Sequence, residues 1–196
     1  MTHIPRPAPL QKIPDTAQTV FRGKVFDVIQ WPQKLFDGTT ATFEILKRPD
    51  TTVIYPVLPD GRILLTRQEQ PGRAPFLGAC GGRVEAGEDA EVAARRELLE
   101  ETGYQAATLT LWDARQITSK LDWAVYTFIA HGVVDQGDQA LDAGEKITLM
   151  PVTFDELLAV AARGELAEAE MIPEFLHAYY DADKRRALEA LFRGKE

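Results

Sequence analysis

The stretch Arg96-Glu97-Leu98-Leu99-Glu100-Glu101-Thr102-Gly103, written RELLEETG, reads as the last turns of a helix stopped by glycine. Helix C-termini favour cations, because unpaired carbonyls leave partial negative charge there. Three glutamates stand here instead. At about 100° per residue, Glu97, Glu100 and Glu101 share one face with the small residues Ala90, Ala93 and Ala94. Val92 and Leu99 lie opposite, with Leu98 between. Carboxylates at these spacings repel by roughly 0.2–0.5 kcal/mol per pair. Arg96 is expected to reach only Glu100, four residues on, which leaves Glu97 and Glu101 uncompensated. One reading is a solvated acidic face. The other is a cation site, since clustered hard oxygen ligands suit Mg²⁺ or Mn²⁺. Repulsion and helix dipole oppose the first reading together, and the alanines would let the helix pack closely enough to bring its carboxylates to a cleft.

Outward from this helix, expected over residues 88–102, the chain mixes strands with helices. Residues 72–87 are glycine-rich and read as a loop. Upstream, VFRGKVFDVIQW and TATFEILKR flank Asp37-Gly38, a hairpin signal, and TVIYPVL and RILLTRQ flank Asp60-Gly61, a second one. The two hairpins are expected to form two sheets, or a sheet and an accessory sheet, joined near Pro49. Downstream, TLTLWDARQI, WAVYTFIAHG and ITLMPVTF read as strands. A helix from Thr153 or Asp155 to Arg163 precedes Gly164, and one helix is expected from Ile172 to Phe192 with Pro173 in its first turn. Residues 1–15 are proline-rich and read as a tail or extended arm. Together these elements predict an α/β/α sandwich with a mixed sheet.

The bulk properties agree. With 196 residues and 45% hydrophobic content, one domain with a sizeable core plus an extension is expected. A net charge of −8 argues against a nucleic-acid or anionic-membrane surface. A single cysteine, Cys80, excludes an intrachain disulfide and a multi-cysteine metal site. No apolar run has signal-peptide or membrane-spanning length, so a soluble cytoplasmic protein is the expectation.

The residues also carry a resemblance. Gly82, Glu88, then Arg96-Glu97-Leu98-x-Glu100-Glu101-x-Gly103 and Tyr104 resembles the Nudix box at every specified position but the last, where the template has an aliphatic residue. The resemblance implies the Nudix fold and Mg²⁺- or Mn²⁺-dependent hydrolysis of a nucleoside diphosphate linked to another group. It implies that Glu97, Glu100 and Glu101 ligate the metal, that the Gly81 carbonyl completes a site, and that Glu88 and Arg96 hold the box loop and orient the glutamates. LPDGRILLTRQEQP, FLGACGGRVEAGE and the β-rich N-terminal region resemble the ADP-ribose pyrophosphatase and nucleoside-diphosphate-sugar hydrolase branch. That implies residues 1–50 as an arm and antiparallel β extension serving dimerisation and base binding, and residues 51–196 as the catalytic domain. It implies a homodimer and substrate contacts from Phe43, Glu44 and Arg48, in the segment ATFEILKR; core packing is the other reading of Phe43. Glu145, in LDAGEKITLM, is the candidate general base, with Glu101, Asp142 or plain solvent exposure as alternatives. His131 and His177 are weaker candidates, since a lone histidine is more often structural.

This chain departs from the branch in three places, one of them Ser119, where some ADP-ribose hydrolases carry a proline about sixteen residues past the box. Where the branch often has Glu-Leu-Pro-Ala-Gly, this chain has Gly78-Ala79-Cys80-Gly81-Gly82, without the glutamate. Where it has Gln-x-Arg, this chain has Gln68-Glu69-Gln70, so Arg67 or Arg73 is expected to supply the phosphate-facing charge. The function implied is hydrolysis of a nucleoside-diphosphate sugar, ADP-ribose or similar, to a nucleoside monophosphate and a sugar phosphate. The alternatives are a pyrophosphatase for modified nucleoside triphosphates and a non-catalytic nucleotide-binding module of the same fold.

Overall fold

Asp37 and Gly38 form a hairpin turn, held where the Asp37 carboxylate accepts from the Thr39 amide (2.9 Å) and hydroxyl (2.6 Å). The computed structural model containing it describes residues 4–194. The first three residues of the expected arm and the last two of the expected catalytic segment lie outside them. The turn joins β2 (Asp27–Lys34) to β3 (Thr40–Lys47), which pair antiparallel along their whole length. The strand expected before it is divided. β1 (Gln18–Arg22) ends at a tight turn in which the Gly23 amide donates to the Phe26 carbonyl (3.0 Å), and β1 then folds back on β2.

This meander is continuous with a larger sheet. β7 (Tyr104–Thr118) and β8 (Leu121–Asp135) form a long hairpin. The other edge of β8 is shared by two strands. Leu121 and Asp122 meet the end of β3 in parallel, and residues 125–130 meet β4 (Thr51–Pro56), also in parallel. Parallel and antiparallel pairs thus coexist in one mixed sheet. A second, antiparallel sheet has the order β6 (Phe76–Gly78), β5 (Ile63–Glu69), β9 (Lys146–Val152).

The Asp60-Gly61 signal corrects one expectation. The chain does reverse there, with Asp60 accepting from the Arg62 amide (3.0 Å). Yet among the described residues the one bridge across this turn is Val57–Ile63, just past β4, and β4 and β5 lie in different sheets. Turn chemistry dictates a local reversal, whereas β4, buried from Thr52 to Pro56, is claimed by the longer strand β8.

Among the described residues four helices flank the sheets: α1 (Ala90–Thr102), α2 (Phe154–Ala162), α3 (Ile172–Tyr180) and α4 (Ala182–Arg193). α2 starts on a reciprocal cap between Thr153 and Glu156. The single helix expected from Ile172 to Phe192 is two. Asp181 turns extended (φ −123°, ψ 119°), and its carboxylate caps α4 by accepting from the amides of Asp183 and Lys184. An aspartate that caps a new helix competes with continuing the old one. Helices α3 and α4 pack Phe175 and Phe192 against Tyr55 and Trp112. On α1, Ala94 and Leu98 are fully buried in a separate core with Ile54, Cys80 and Phe128, and Ala93 is fully buried beside them in the helix. The N-terminal arm is strapped down where Arg6 bridges Asp50 and Asp122 (both 2.7 Å) and Gln116 donates to the Pro7 carbonyl. No helix among the described residues is long and apolar enough to cross a membrane.

Candidate active site

α1 begins at Asp89, whose side chain accepts from the Glu91 amide, and ends at Gly103 in the left-handed conformation (φ 75°). The carbonyls expected to be orphaned at that end are met. Gly103 N–H donates to Leu99 O and Ala140 N–H donates to Glu100 O (each 2.8 Å), and the Gln139 side-chain amide donates to Glu101 O. Gln136 N–H donates to Gly103 O (2.8 Å). The loop between β8 and β9 therefore caps the glutamate-bearing end of α1, which offsets the unfavourable dipole at its source. Sequence reasoning missed this role of Gln139 and Ala140; their only local signal is that they lie just after a strand.

The residues before α1 form the opposite wall. Amides of Ile54 and Thr52 on β4 donate to the carbonyls of Cys80 and Gly82 (each 2.8 Å). A Cβ at Gly82 would lie 2.5 Å from the Glu97 carboxyl group, so only glycine lets this carboxylate lie against the loop. Glu101 accepts from the Gly81 amide (2.8 Å). Arg96 joins the two walls. It forks onto Glu88 (3.1 and 2.9 Å), donates to the Arg83 carbonyl (2.9 Å), and reaches Glu97 (2.7 Å) as well as Glu100 (3.1 Å). The expectation that Arg96 reaches only Glu100 is thus corrected; its broad fork of donors spans loop and helix at once.

Between the walls lies a cleft of about 310 Å³ lined by Gly81, Gly82, Glu97, Glu100 and Glu101, with Asp142 and Glu145 from the capping loop. The structure thus brings Glu145 to the helix glutamates. Burial pushes the Glu97 carboxyl up against the opposing pull of Arg96. It pushes Glu101, only 5% exposed, up to about 8, opposed by the Gly81 amide and reinforced by Glu97 and Glu145. Glu88, bonded to Arg96, is held below the usual carboxylate range. The donor set is all oxygen and fits a hard divalent cation. Among the described residues no three such side chains already converge on one point. Glu97 and Glu100 rest on Arg96, and Glu101 on the Gly81 amide, so a cation would be bound in competition with these contacts.

The remaining predicted residues lie apart from the cleft. Arg48 lines an adjoining groove of about 400 Å³ that shares Arg83 and Glu85 with the cleft. Its guanidinium lies over Trp123 (4.5 Å) and Phe26 (5.8 Å), its Nε is buried without a protein partner, and burial, then nearby Arg83, lowers its pKa. Phe43 packs edge-on against Trp31 (6.2 Å). Glu44 accepts from Gln30 (3.0 Å) and Arg67 stands exposed beside Glu69 (3.8 Å). Arg73 lies over Phe76 (3.5 Å) in a groove that also contains Glu145. His131 bonds the Phe192 carbonyl (3.0 Å). One further carboxylate was missed by sequence reasoning. Glu168, in the turn before α3, accepts from the Ala79 amide (3.1 Å), and burial pushes its carboxyl up to about 8. No spacing rule connects it to the box.

Comparison with known proteins gives this geometry a family. Residues 47–175 match the NUDIX domain. The chain is 31% identical over 156 residues to an ADP-ribose pyrophosphatase of Bacillus subtilis, covering 78% of this chain and 84% of the relative. It is 29% identical over 145 residues to a methanol dehydrogenase activator of Bacillus methanolicus, covering 72% of this chain and 78% of that protein. A solved ADP compounds hydrolase shares the fold, with a TM-score of 0.59 at 23% identity over 81% of this chain and 86% of its own. A match across about two thirds of the chain, with a helix of glutamates tied by arginine to a glycine loop, leaves one conclusion: the chain belongs to the Nudix family, as a pyrophosphohydrolase of the branch that includes ADP-ribose pyrophosphatase.

Proposed function

We propose that the protein hydrolyses the diphosphate bond of a nucleoside-diphosphate sugar, ADP-ribose or a close analogue, to a nucleoside monophosphate and a sugar phosphate. The observation that carries this reading is one cleft shared by Glu97, Glu100, Glu101 and Glu145 beside a groove that holds Arg48 and Arg83. The name of the Bacillus subtilis relative supports the substrate class. Glu97, Glu100, Glu101 and the Gly81 carbonyl would hold Mg²⁺ or Mn²⁺, which when bound supplies neutralising charge to the diphosphate oxygens.

The chain's own groups do the rest. Glu145 accepts the proton of the attacking water at its carboxylate. Arg83, at the boundary of cleft and groove, and Arg48, fixed by Trp123, meet phosphate oxygens. Arg96 and Glu88 keep the glycine loop in register with α1. Val20, Phe21 and Phe36 are strongly exposed on the β1–β3 meander, which favours a homodimer formed through it. Phe43, Glu44 and Arg67 then contribute to substrate binding where a second subunit brings them to a cleft.

A panel of nucleoside-diphosphate sugars and dinucleotides, assayed with Mg²⁺ and with Mn²⁺ and read product by product, tests the proposal. The expected result is a nucleoside monophosphate from a diphosphate sugar. Preferred turnover of modified nucleoside triphosphates would overturn the substrate class. Turnover that survives a chelator would overturn the metal requirement.

A further inference from the structure

Past the end of β6, the segment Ala79–Gly82 runs beside β4 through one isolated bridge, Cys80 to Ile54. There its carbonyls at Cys80 and Gly82 pair with β4. The pairing of β6 with β5 stops at Gly78, opposite Thr66, and beyond it the amides of Ala79 and Gly81 are taken by carboxylates, Glu168 and Glu101 respectively. Successive residues of an extended chain alternate in direction, so these two amides point the same way. The Thr66 hydroxyl meets the carbonyls of Gly78 and Ala79 (3.1 and 3.2 Å). Glu168 is aimed by its own backbone. Ala167 N–H donates to Leu77 O (2.8 Å), and Leu166 bridges Leu77 in parallel, so this turn runs alongside β6. The Glu168 carboxylate lies against Gly78, where a Cβ would stand 2.6 Å from its Oε1. Position 78 and Glu168 therefore compete for one space.

We propose that Glu168 is a positioning residue of the metal centre: reaching in from the turn before α3, it fixes the segment that carries Gly81, from the space a side chain at position 78 would fill. This rests on the metal reading of the cleft. A half-buried carboxylate that accepts from the Ala79 amide and from its own backbone is a poor device for stability, because desolvating its charge is unfavourable. Its effect is on geometry. With Ala79 held, the Gly81 amide stays on Glu101 and the Gly81 carbonyl stays at the cleft.

Mn²⁺ binding followed by electron paramagnetic resonance, with melting temperature and steady-state kinetics, tests this on the full chain. Glu168→Ala and Glu168→Leu, which remove the acceptor of the Ala79 amide, should weaken Mn²⁺ binding by about tenfold, the lower end for residues that orient metal ligands. They should lower kcat with little change in KM and leave the melting temperature unchanged or higher. Gly78→Glu alone should weaken Mn²⁺ binding through the clash. Combined with Glu168→Ala, it should recover affinity to within about threefold of the unaltered protein, a coupling that independent sites would not show. Unchanged Mn²⁺ affinity in both Glu168 variants would overturn the proposal while leaving the metal reading intact. So would a double variant no better than its parts, or a fall in melting temperature alone. If Glu168→Ala does not fold, Glu168→Leu decides. If the unaltered protein binds no Mn²⁺, the metal reading and this proposal fall together.

Discussion

Tyr55, Trp112, Phe175 and Phe192 meet edge to face at 5.4–6.0 Å, while Glu97, Glu101 and Glu168 are drawn together around the glycine-rich segment 78–82. The first cluster is dense, apolar and favourable in every pair. The second gathers like charges in a confined place, with two carboxyls pushed up to about 8. Both are attached to β4, which carries Tyr55 on one side and pairs with Cys80 and Gly82 on the other. The difference teaches that stability and function are placed in separate clusters of one sheet. The aromatic cluster supplies the rigidity against which the carboxylate cluster is held in its unfavourable arrangement.

Four measurements would break or sharpen this division. Phe175→Ala should have the largest effect, a loss of about 3–5 kcal/mol in denaturant unfolding, with kcat of the folded fraction nearly unchanged. Glu100→Gln should do the opposite, lowering kcat by roughly 10²–10³-fold, as loss of one charge-stabilising group does, at unchanged or raised melting temperature. If either variant moved both properties equally, the separation would not hold.

The third measurement is the pH dependence of the metal-free protein. Glu101 and Glu168 bind protons more tightly folded than unfolded, so their contribution is full below about 4.5 and is lost as pH rises through about 8. Melting temperature should therefore decline from about pH 5 to about pH 8.5. Added Mg²⁺ should flatten the decline by favouring ionised Glu101. A rise in melting temperature over that range without metal would contradict the burial of these carboxyls. The smallest effect is expected from Arg48→Ala, which lies outside both clusters. It should raise KM by about tenfold, the weight of one charged contact, with kcat and melting temperature little changed.

How much of this was legible in the sequence follows from how local each feature is. The carboxylate face of α1, its alanine-lined buried side and its glycine stop depend on residues within a few turns, and the sequence showed them. The Asp37-Gly38 hairpin and the capped start of α2 are local in the same way. Which strand β4 chooses is not, because a Val-, Ile- and Tyr-bearing strand suits β5 and β8 equally until the whole sheet is assembled. Asp181 hid inside an amphipathic pattern, because a capping aspartate and a helical one read alike along the chain. In the site, Glu145 could be proposed from its place in an acidic segment. Gln139 and Glu168 could not, since each acts by meeting a backbone group far away in sequence.

The loop that caps α1 has a consequence for chain length. Loop insertions are usually tolerated at exposed tips, but this loop is fastened at Gln136, Gln139 and Ala140 and free to vary only beyond them. A residue inserted between Gln136 and Gln139 would strip carbonyl partners from the helix and disturb all three glutamates at once. The same insertion between Ala140 and Glu145 would leave the helix end intact and shift only Glu145, the proposed base. Two insertions a few residues apart would thus produce two different enzymes, one with its carboxylates out of register and one with its water out of reach.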